Sequence, residues 1–554
     1  KVEVFDKLAK YYEEDIQKQY ADGAVPGMTV EPELPDELLN EAREYTDTAV
    51  ITICRFSGEG WDRKCEAAQD GYVLDGEEKR NSELSAKIFE NGDFCLTNAE
   101  NAMVEKVKKT FPHVIVVMNV GGIVDTKWFR DCDEIQSVLM AWQGGMEGGL
   151  ATADILCGDV NPSGKLSDTY AKDLEDYPST ANFHESAFYV DYTEDIYVGY
   201  RYFDTFEVPV RYGFGYGLSY TDFEISNYRL VKISAEKISI SASVKNTGKV
   251  SGKEVVQVYA SLPGGTLEKE AHRLAAYAKT AELKPGETEE VTMEVTVDAL
   301  TSYDEESAAW ILEKGFYGIW IGNSLASAKL CGGMKLDATV TKRQVKNLFP
   351  LKQDLEEIVQ EPSRTAKRTE TAEKLAGEQA MTVLELHAAD ITTETVEYKK
   401  NADLYEREAM DFVNTLTEEE LIDLAAGDPG KAQGGNLGAA GISVPGSAGE
   451  THRCAVDKGL ASIVLADGPA GLRLMKYYHV NEGSIVSMPF EFSLEGGLFY
   501  DDSRELPGER YYQYCTAIPV GTLLAQTWNQ ELIREVGAMI GTEMEHFGVT
   551  LWLA

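Results

Sequence analysis

Two runs, TAVITICRF at 48–56 and HVIVVMNV at 113–120, are continuously apolar and rich in β-branched residues. Such runs predict strands covered on both faces, which occur chiefly in parallel sheets. Between them NAENAMVEKVKKTF has the character of a helix, and SVLMAWQGGMEGGLATADILCGDV then supplies a further short strand and an amphipathic helix. Strands and helices alternating at this spacing imply a parallel sheet with helices on its faces. The ligand crevice of such a sheet lies beyond the carboxyl ends of its strands. SGEGW follows the first run directly, so Glu59 is expected in that crevice, with Gly58 and Gly60 permitting a tight turn. Trp61 is close by in sequence, and an aromatic wall lifts a carboxyl group toward the pKa of a general acid.

The texture changes further along. From about 225 to 338 short alternating strands (ISISASVKN, EVVQVYASL, EEVTMEVTV, GFYGIWIGN) are punctuated by turn signals such as NTGK and KPGET, which predicts an immunoglobulin-like or fibronectin-like β-sandwich. Residues 339–400 are charged and rich in Thr, Lys and Glu without a strong apolar period, and are expected to form an extended connector with some helix. From 401 to 554 βα signals return: LTEEELIDLAAG with a Thr cap, the strand of ASIVLADGPAG, and WNQELIREVGAMIGTEMEHFG running into VTLWLA. A (β/α)8 barrel needs about 250 residues, so one starting at 401 is expected to be incomplete within this sequence. The 554 residues are too many for a single core, and 1–224 form the first domain of this division.

Composition narrows the partners. A formal charge of −41 repels phosphate backbones and anionic lipid, which argues against nucleic acid and membrane surfaces and favours a neutral ligand. Eight cysteines without a CxxC pair read as reduced thiols in a cytoplasmic setting. Neither a secretory leader nor a transmembrane run is visible after Lys1. Several short motifs fail on spacing. GDVNPSGKLS is no phosphate loop, because Leu166 occupies the magnesium-binding Ser/Thr position. TEMEHFG has His546 without a second histidine in zinc-ligand register, YGLSY lacks the second glycine of a nucleophile elbow, and GGMEGG is weak evidence for a dinucleotide. No metal site or organic cofactor is expected.

SGEGWDR, NVGG, QGGMEGGLATADILCGDVNPSGKL, YVGYRYFD and YGFGYGLSYTDF, in that order, resemble the α/β-sandwich domain of family 3 glycoside hydrolases of the β-glucosidase branch. The strand-rich segment with AELKPGETEEVTMEV is similar to that family's fibronectin-like domain. LTEEELIDLAAG, SIVLADGPAGLR and PVGTLLAQTWNQELIREVGAMIGTEMEHFGV resemble the opening of its catalytic barrel. The usual family order is barrel, sandwich, fibronectin-like domain; here the sandwich leads, an arrangement that also occurs in the family. The resemblance implies a retaining exo-β-glycosidase, a β-glucosidase acting on β-glucosides or cello-oligosaccharides as in cellulose degradation. It gives Glu59 the role of general acid/base, and makes Asp467 and Arg473 sugar-binding residues beside Trp61. The family's nucleophile is an aspartate in an SD-aromatic motif later in the barrel; none follows Asp467, so it is expected outside these residues. Tyr200, Arg201 and Tyr202 belong to a family signature and are assigned a structural role. A β-xylosidase is the nearest competitor, an N-acetylglucosaminidase a more distant one, and a truncated chain that at most binds sugar the alternative from another class. Homo-oligomer formation is left open.

Overall fold

The computed structural model describes residues 3–24, 27–55, 83, 85–183, 186, 188–398, 407–428, 441, 443–486 and 506–554. The chain divides into two compact units, the first comprising Lys1–Trp142, Thr152–Glu397 and Ala525–Asn529, the second Gln143–Ala151, Tyr398–Leu524 and Gln530–Ala554.

The first unit opens with helices α1 (Asp6–Ala21) and α2 (Asp36–Tyr45), followed by strand β1 (Thr48–Arg55), helix α3 (Asn98–Thr110), β2 (His113–Val120) and β3 (Ile135–Met140). The three strands are parallel in the order β1-β2-β3. Helix α3 starts from a capping box in which Thr97 accepts the Glu100 backbone N–H and Glu100 accepts that of Thr97, so two otherwise orphaned donors are satisfied. Central β2 buries Val114, Val116, Val117, Met118 and Val120. The expectation that both runs are covered on both faces fails for β1, where buried Ile51 and Ile53 alternate with exposed Thr52 and Cys54, and Val50 is 51% exposed. The physical reason is that Val50, Thr52 and Cys54 face a cavity of about 1040 Å³ lined also by α1 and α2.

In that cavity the Tyr12 hydroxyl donates to Glu31 Oε1 at 2.5 Å. Burial first, then the Glu100 and Asp15 carboxylates, push the Glu31 pKa from 4.5 up to about 7, although the Tyr12 hydrogen bond opposes the shift. Because the folded-state pKa is raised, the folded protein holds this proton more tightly than the unfolded chain. The contribution is full below about pH 4.5 and is lost as pH rises to about 7. Unfolding free energies from urea melts at pH 5 and pH 8 should therefore differ more for the wild type than for Glu31→Gln, by about 1–3 kcal/mol. Equal pH dependence in the two proteins would remove Glu31 as the cause.

The β-sandwich follows as β4 (Phe223–Lys232), β5 (Lys237–Asn246), β6 (Val255–Ser261), β7 (Arg273–Lys279), β8 (Thr288–Thr296), β9 (Gly315–Gly322) and β10 (Lys329–Leu336). One sheet runs β8-β5-β4, and the larger contains β10-β9-β6-β7. The alternation read in TEEVTMEVT appears directly: Val291, Met293 and Val295 face the core with Ile238, Ile240, Val256, Val258, Ile319 and Ile321, while Glu290, Thr292 and Glu294 point outward. Strand β6 is buried at every position, as a central strand covered on both faces must be.

Residues 339–400 are more ordered than the extended connector that was expected. Helix α4 (Pro362–Glu378) packs Ala372 and Ala376 against Phe316 and Leu330. Strand β11 (Thr382–Leu386) then pairs parallel with β10 and completes a five-stranded sheet, carrying the sandwich past 338. An apolar face made of small residues gives only a faint helical period, which is why the sequence pattern understated it.

The second unit contains α5 (Glu418–Ala426), β12 (Val464–Asp467), α6 (Gln530–Phe547) and β13 (Leu551–Leu553). Strands β12 and β13 are parallel neighbours, with α6 directly preceding β13. Val464, Ala466, Leu472, Leu474, Ile518, Ile540 and Val549 form their core. The sequence reading missed an antiparallel sheet of Tyr477–Asn481, Ser484–Ile485 and Glu509–Tyr512. No helix among the described residues is long and apolar enough to cross a membrane.

Candidate active site

Strand β12 ends on Asp467, in register with Leu553 of β13. Ala466 is fully buried, so strand alternation turns Asp467 out of the core, where its side chain keeps 32% exposure. A tight turn follows. Gly468 has φ +139°, and a Cβ there would collide with the carbonyl oxygen of Gly471, so only glycine is accommodated. Three bonds fix the turn: Arg473 N–H to Asp467 O at 2.7 Å, Ile518 N–H to Ala470 O at 2.9 Å, and the Trp552 indole N–H to Gly468 O at 2.8 Å.

The turn folds Arg473 back onto the strand end, where its Nη2 donates to Asp467 Oδ2 at 2.5 Å. Two of the four residues singled out in the sequence thus meet. Arg473 also lines a depression of about 360 Å³ with Lys476, Gln513 and Tyr514. A half-exposed carboxylate held by a guanidinium, beside a concavity with amide and phenol groups, is suited to gripping hydroxyl groups through charge-assisted hydrogen bonds. The pattern reading passed over the residues that hold this frame. Thr516 donates its backbone N–H to Glu543 Oε1 at 3.1 Å and its hydroxyl to the same oxygen, and Gln513 Nε2 donates to Pro445 O at 2.6 Å. None carries a local signature, because each partner comes from a distant element.

Glu59 and Trp61 lie outside the described residues. What precedes them is well defined. Arg55, the last residue of β1, is 5% exposed and donates to both Glu100 oxygens at 2.8 and 2.6 Å and to the carbonyls of Asp93 and Cys95 at 3.0 Å each. The end of β1 is therefore clamped to the start of α3. A buried arginine satisfied this fully holds the end of β1 in place. Lys165, the lysine of the rejected phosphate-loop pattern, is buried and pairs with Glu254 at 3.0 Å, which is a structural role. Tyr200 stacks on Phe214 at 4.4 Å and its hydroxyl accepts the Leu274 N–H at 2.9 Å. Within the same unit Trp528 packs edge-on against Tyr277 and Phe214 and donates to Lys165 O at 2.9 Å.

A parallel-sheet α/β domain, a fibronectin-like sandwich and an Asp–Arg pair at a strand end define the class: a multidomain α/β protein built on a β-sandwich module. Residues 2–220 match the glycosyl hydrolase family 3 C-terminal domain, and residues 254–325 the fibronectin type III-like domain. The chain belongs to glycoside hydrolase family 3. It is 39% identical to beta-glucosidase A of Butyrivibrio fibrisolvens over all of its own length and 66% of that protein's. It is 34% identical to a beta-glucosidase of Ruminococcus albus, over 88% of this chain and 50% of the relative. The chain thus spans about half to two thirds of the length of these relatives. A crystal structure of a beta-glucosidase from Paenibacillus barengoltzii superposes with a TM-score of 0.71 at 29% identity, covering 100% of this chain and 56% of that one. The domain described as C-terminal in the family matches the beginning of this chain, in keeping with the sandwich-first order.

Proposed function

We propose that this protein is a retaining exo-acting β-glucosidase that removes terminal β-D-glucosyl residues from β-glucosides or cello-oligosaccharides in the cytoplasm. The observation that carries this reading is Asp467, placed at the carboxyl end of a parallel strand and held by Arg473, in a chain of this family. In (β/α)8 enzymes chemistry is done at the carboxyl ends of strands, and β12, α6 and β13 are read as βα units at the start of such a barrel. Asp467 would accept hydrogen bonds from sugar hydroxyls, and Arg473 would hold the carboxylate oriented. Glu59 would protonate the departing oxygen and later activate water, opposite a second carboxylate about 5 Å away that attacks the anomeric carbon. Trp61 would wall the acid and raise its pKa.

The experiment is hydrolysis of an aryl β-glucoside and an aryl β-xyloside by the protein and by Asp467→Asn. Glucoside is expected to be the better substrate. The variant should lose about 100-fold in kcat/KM, the equivalent of roughly two charge-assisted hydrogen bonds weakened in the transition state. Unchanged kcat/KM in Asp467→Asn would remove the sugar-binding role, and faster xyloside cleavage would replace the glucosidase reading with the xylosidase one.

A further inference from the structure

One cluster in the second unit has no part in the proposed hydrolysis. Helix α5 begins from Thr417, which caps Glu420, and presents Asp423 one turn later. His452 caps the short helical turn Arg453–Lys458, which contains Cys454. The ligand atoms of Asp423, His452 and Cys454 all lie within 4.8 Å of one another, and all three residues are partly buried.

The spacing within this cluster is informative. Asp423 Oδ2 and His452 Nδ1 are 3.8 Å apart, too far for a hydrogen bond. Donors that each lie about 2.0–2.3 Å from a tetrahedral ion are separated by about 3.3–3.7 Å, so the gap is close to one edge of such a shell. His452 Nδ1 accepts the backbone N–H of Cys454 at 3.2 Å, and a bound ion would take the place of that contact on the same lone pair.

Charge points the same way. Glu420 is neutralised by Lys458 at 2.6 Å, and Glu450 by Arg453 at 2.8 Å. Asp423 has no lysine or arginine within ion-pair distance among the described residues.

We propose that Asp423, His452 and Cys454 bind a divalent transition-metal ion of the zinc class, with water as the fourth ligand. A thiolate, an imidazole and one carboxylate form a donor set that suits zinc and ill suits magnesium or calcium. On binding, the Cys454 proton passes to solvent and the thiolate bonds to the ion. The ion ties α5 to the segment that leads into β12, the strand bearing Asp467, and so acts as a brace rather than a reactant. The glycosidase reading assigns no metal, and this site stands independently of it.

The test is a cobalt(II) titration of the chelator-treated full-length chain under a non-thiol reductant. A thiolate-to-cobalt charge-transfer band should saturate at one equivalent and be bleached by one equivalent of zinc. Cys454→Ser should abolish the band, Asp423→Asn should weaken cobalt binding at least tenfold, and Cys157→Ser, at an exposed free thiol, should change nothing. Absence of the band in the wild type overturns the proposal, as does a band that survives in Cys454→Ser. The wild-type titration decides the matter even if a variant fails to fold.

Discussion

Glu59→Ala is expected to lower kcat/KM for a phenyl β-glucoside by about 10²–10⁴-fold, the range of a lost general acid/base. The pattern across substrates is more telling than the size. A leaving group as acidic as dinitrophenol departs without a proton, so glycosylation of the enzyme should survive the substitution while hydrolysis of the intermediate, for which Glu59 is the proposed base, should become slow. Azide needs no deprotonation to attack that intermediate. It should therefore restore turnover of the dinitrophenyl substrate and yield a glucosyl azide of retained configuration. A variant that hydrolyses phenyl glucoside at the wild-type rate, or one impaired equally on both substrates with no azide product, would show that the acid lies elsewhere. The pH profile supplies a second readout: the alkaline limb of kcat/KM, set by ionisation of the acid, should vanish in Glu59→Ala.

Lys269→Met is expected to destabilise the first unit by about 3–5 kcal/mol, the cost of leaving a buried charge without its partner. Lys269 Nζ lies 2.7 Å from Glu313 Oε2, and the two side chains are only 2% and 6% exposed. Glu313 also accepts the Thr266 backbone N–H at 2.6 Å and its hydroxyl at 2.9 Å, while Lys269 donates to Leu267 O at 3.1 Å. Burial works against both charges and lowers the Lys269 pKa, yet Lys269 and Thr266 together hold Glu313 below the carboxylate range. A depressed carboxylate contributes stability that is present above its unfolded value of 4.5 and is lost as pH falls through the folded one. Replacing both residues, Lys269→Met with Glu313→Leu, should recover most of the loss, because no uncompensated charge remains. Denaturant melts of the two single variants and the double variant measure this. A Lys269→Met protein within 1 kcal/mol of wild type would mean that water reaches the pair.

Strands β2, β5, β6 and β8 could be read along the chain because each signals itself through contiguous residues: an unbroken apolar run for a strand covered on both faces, alternation for one facing a single core. The cap of α5 was equally local, since Thr417 and Glu420 satisfy each other within one turn. Asp467 and Arg473 were legible through resemblance, and the glycines between them that bend the chain are visible as residues. Beyond such local signals the pattern misled or fell silent. TAVITICR has the composition of a strand covered on both faces, but Val50, Thr52 and Cys54 face a cavity. Helix α4 buries alanines and looked like connector, and β11 joined a sheet whose other strands lie far back in the sequence.

What the sequence determined by itself is therefore the type of each strongly patterned element, the family and the identity of the candidate residues, since these depend on neighbours a few positions apart. What only the tertiary structure decided is which of them meet: Arg473 on Asp467, Arg55 clamped by Glu100, Lys269 buried against Glu313, and Asp423 beside His452 and Cys454. The physical reason is that a buried charge or ligand is satisfied by whatever the folded chain brings within about 3 Å of it, and sequence separation places no limit on that distance.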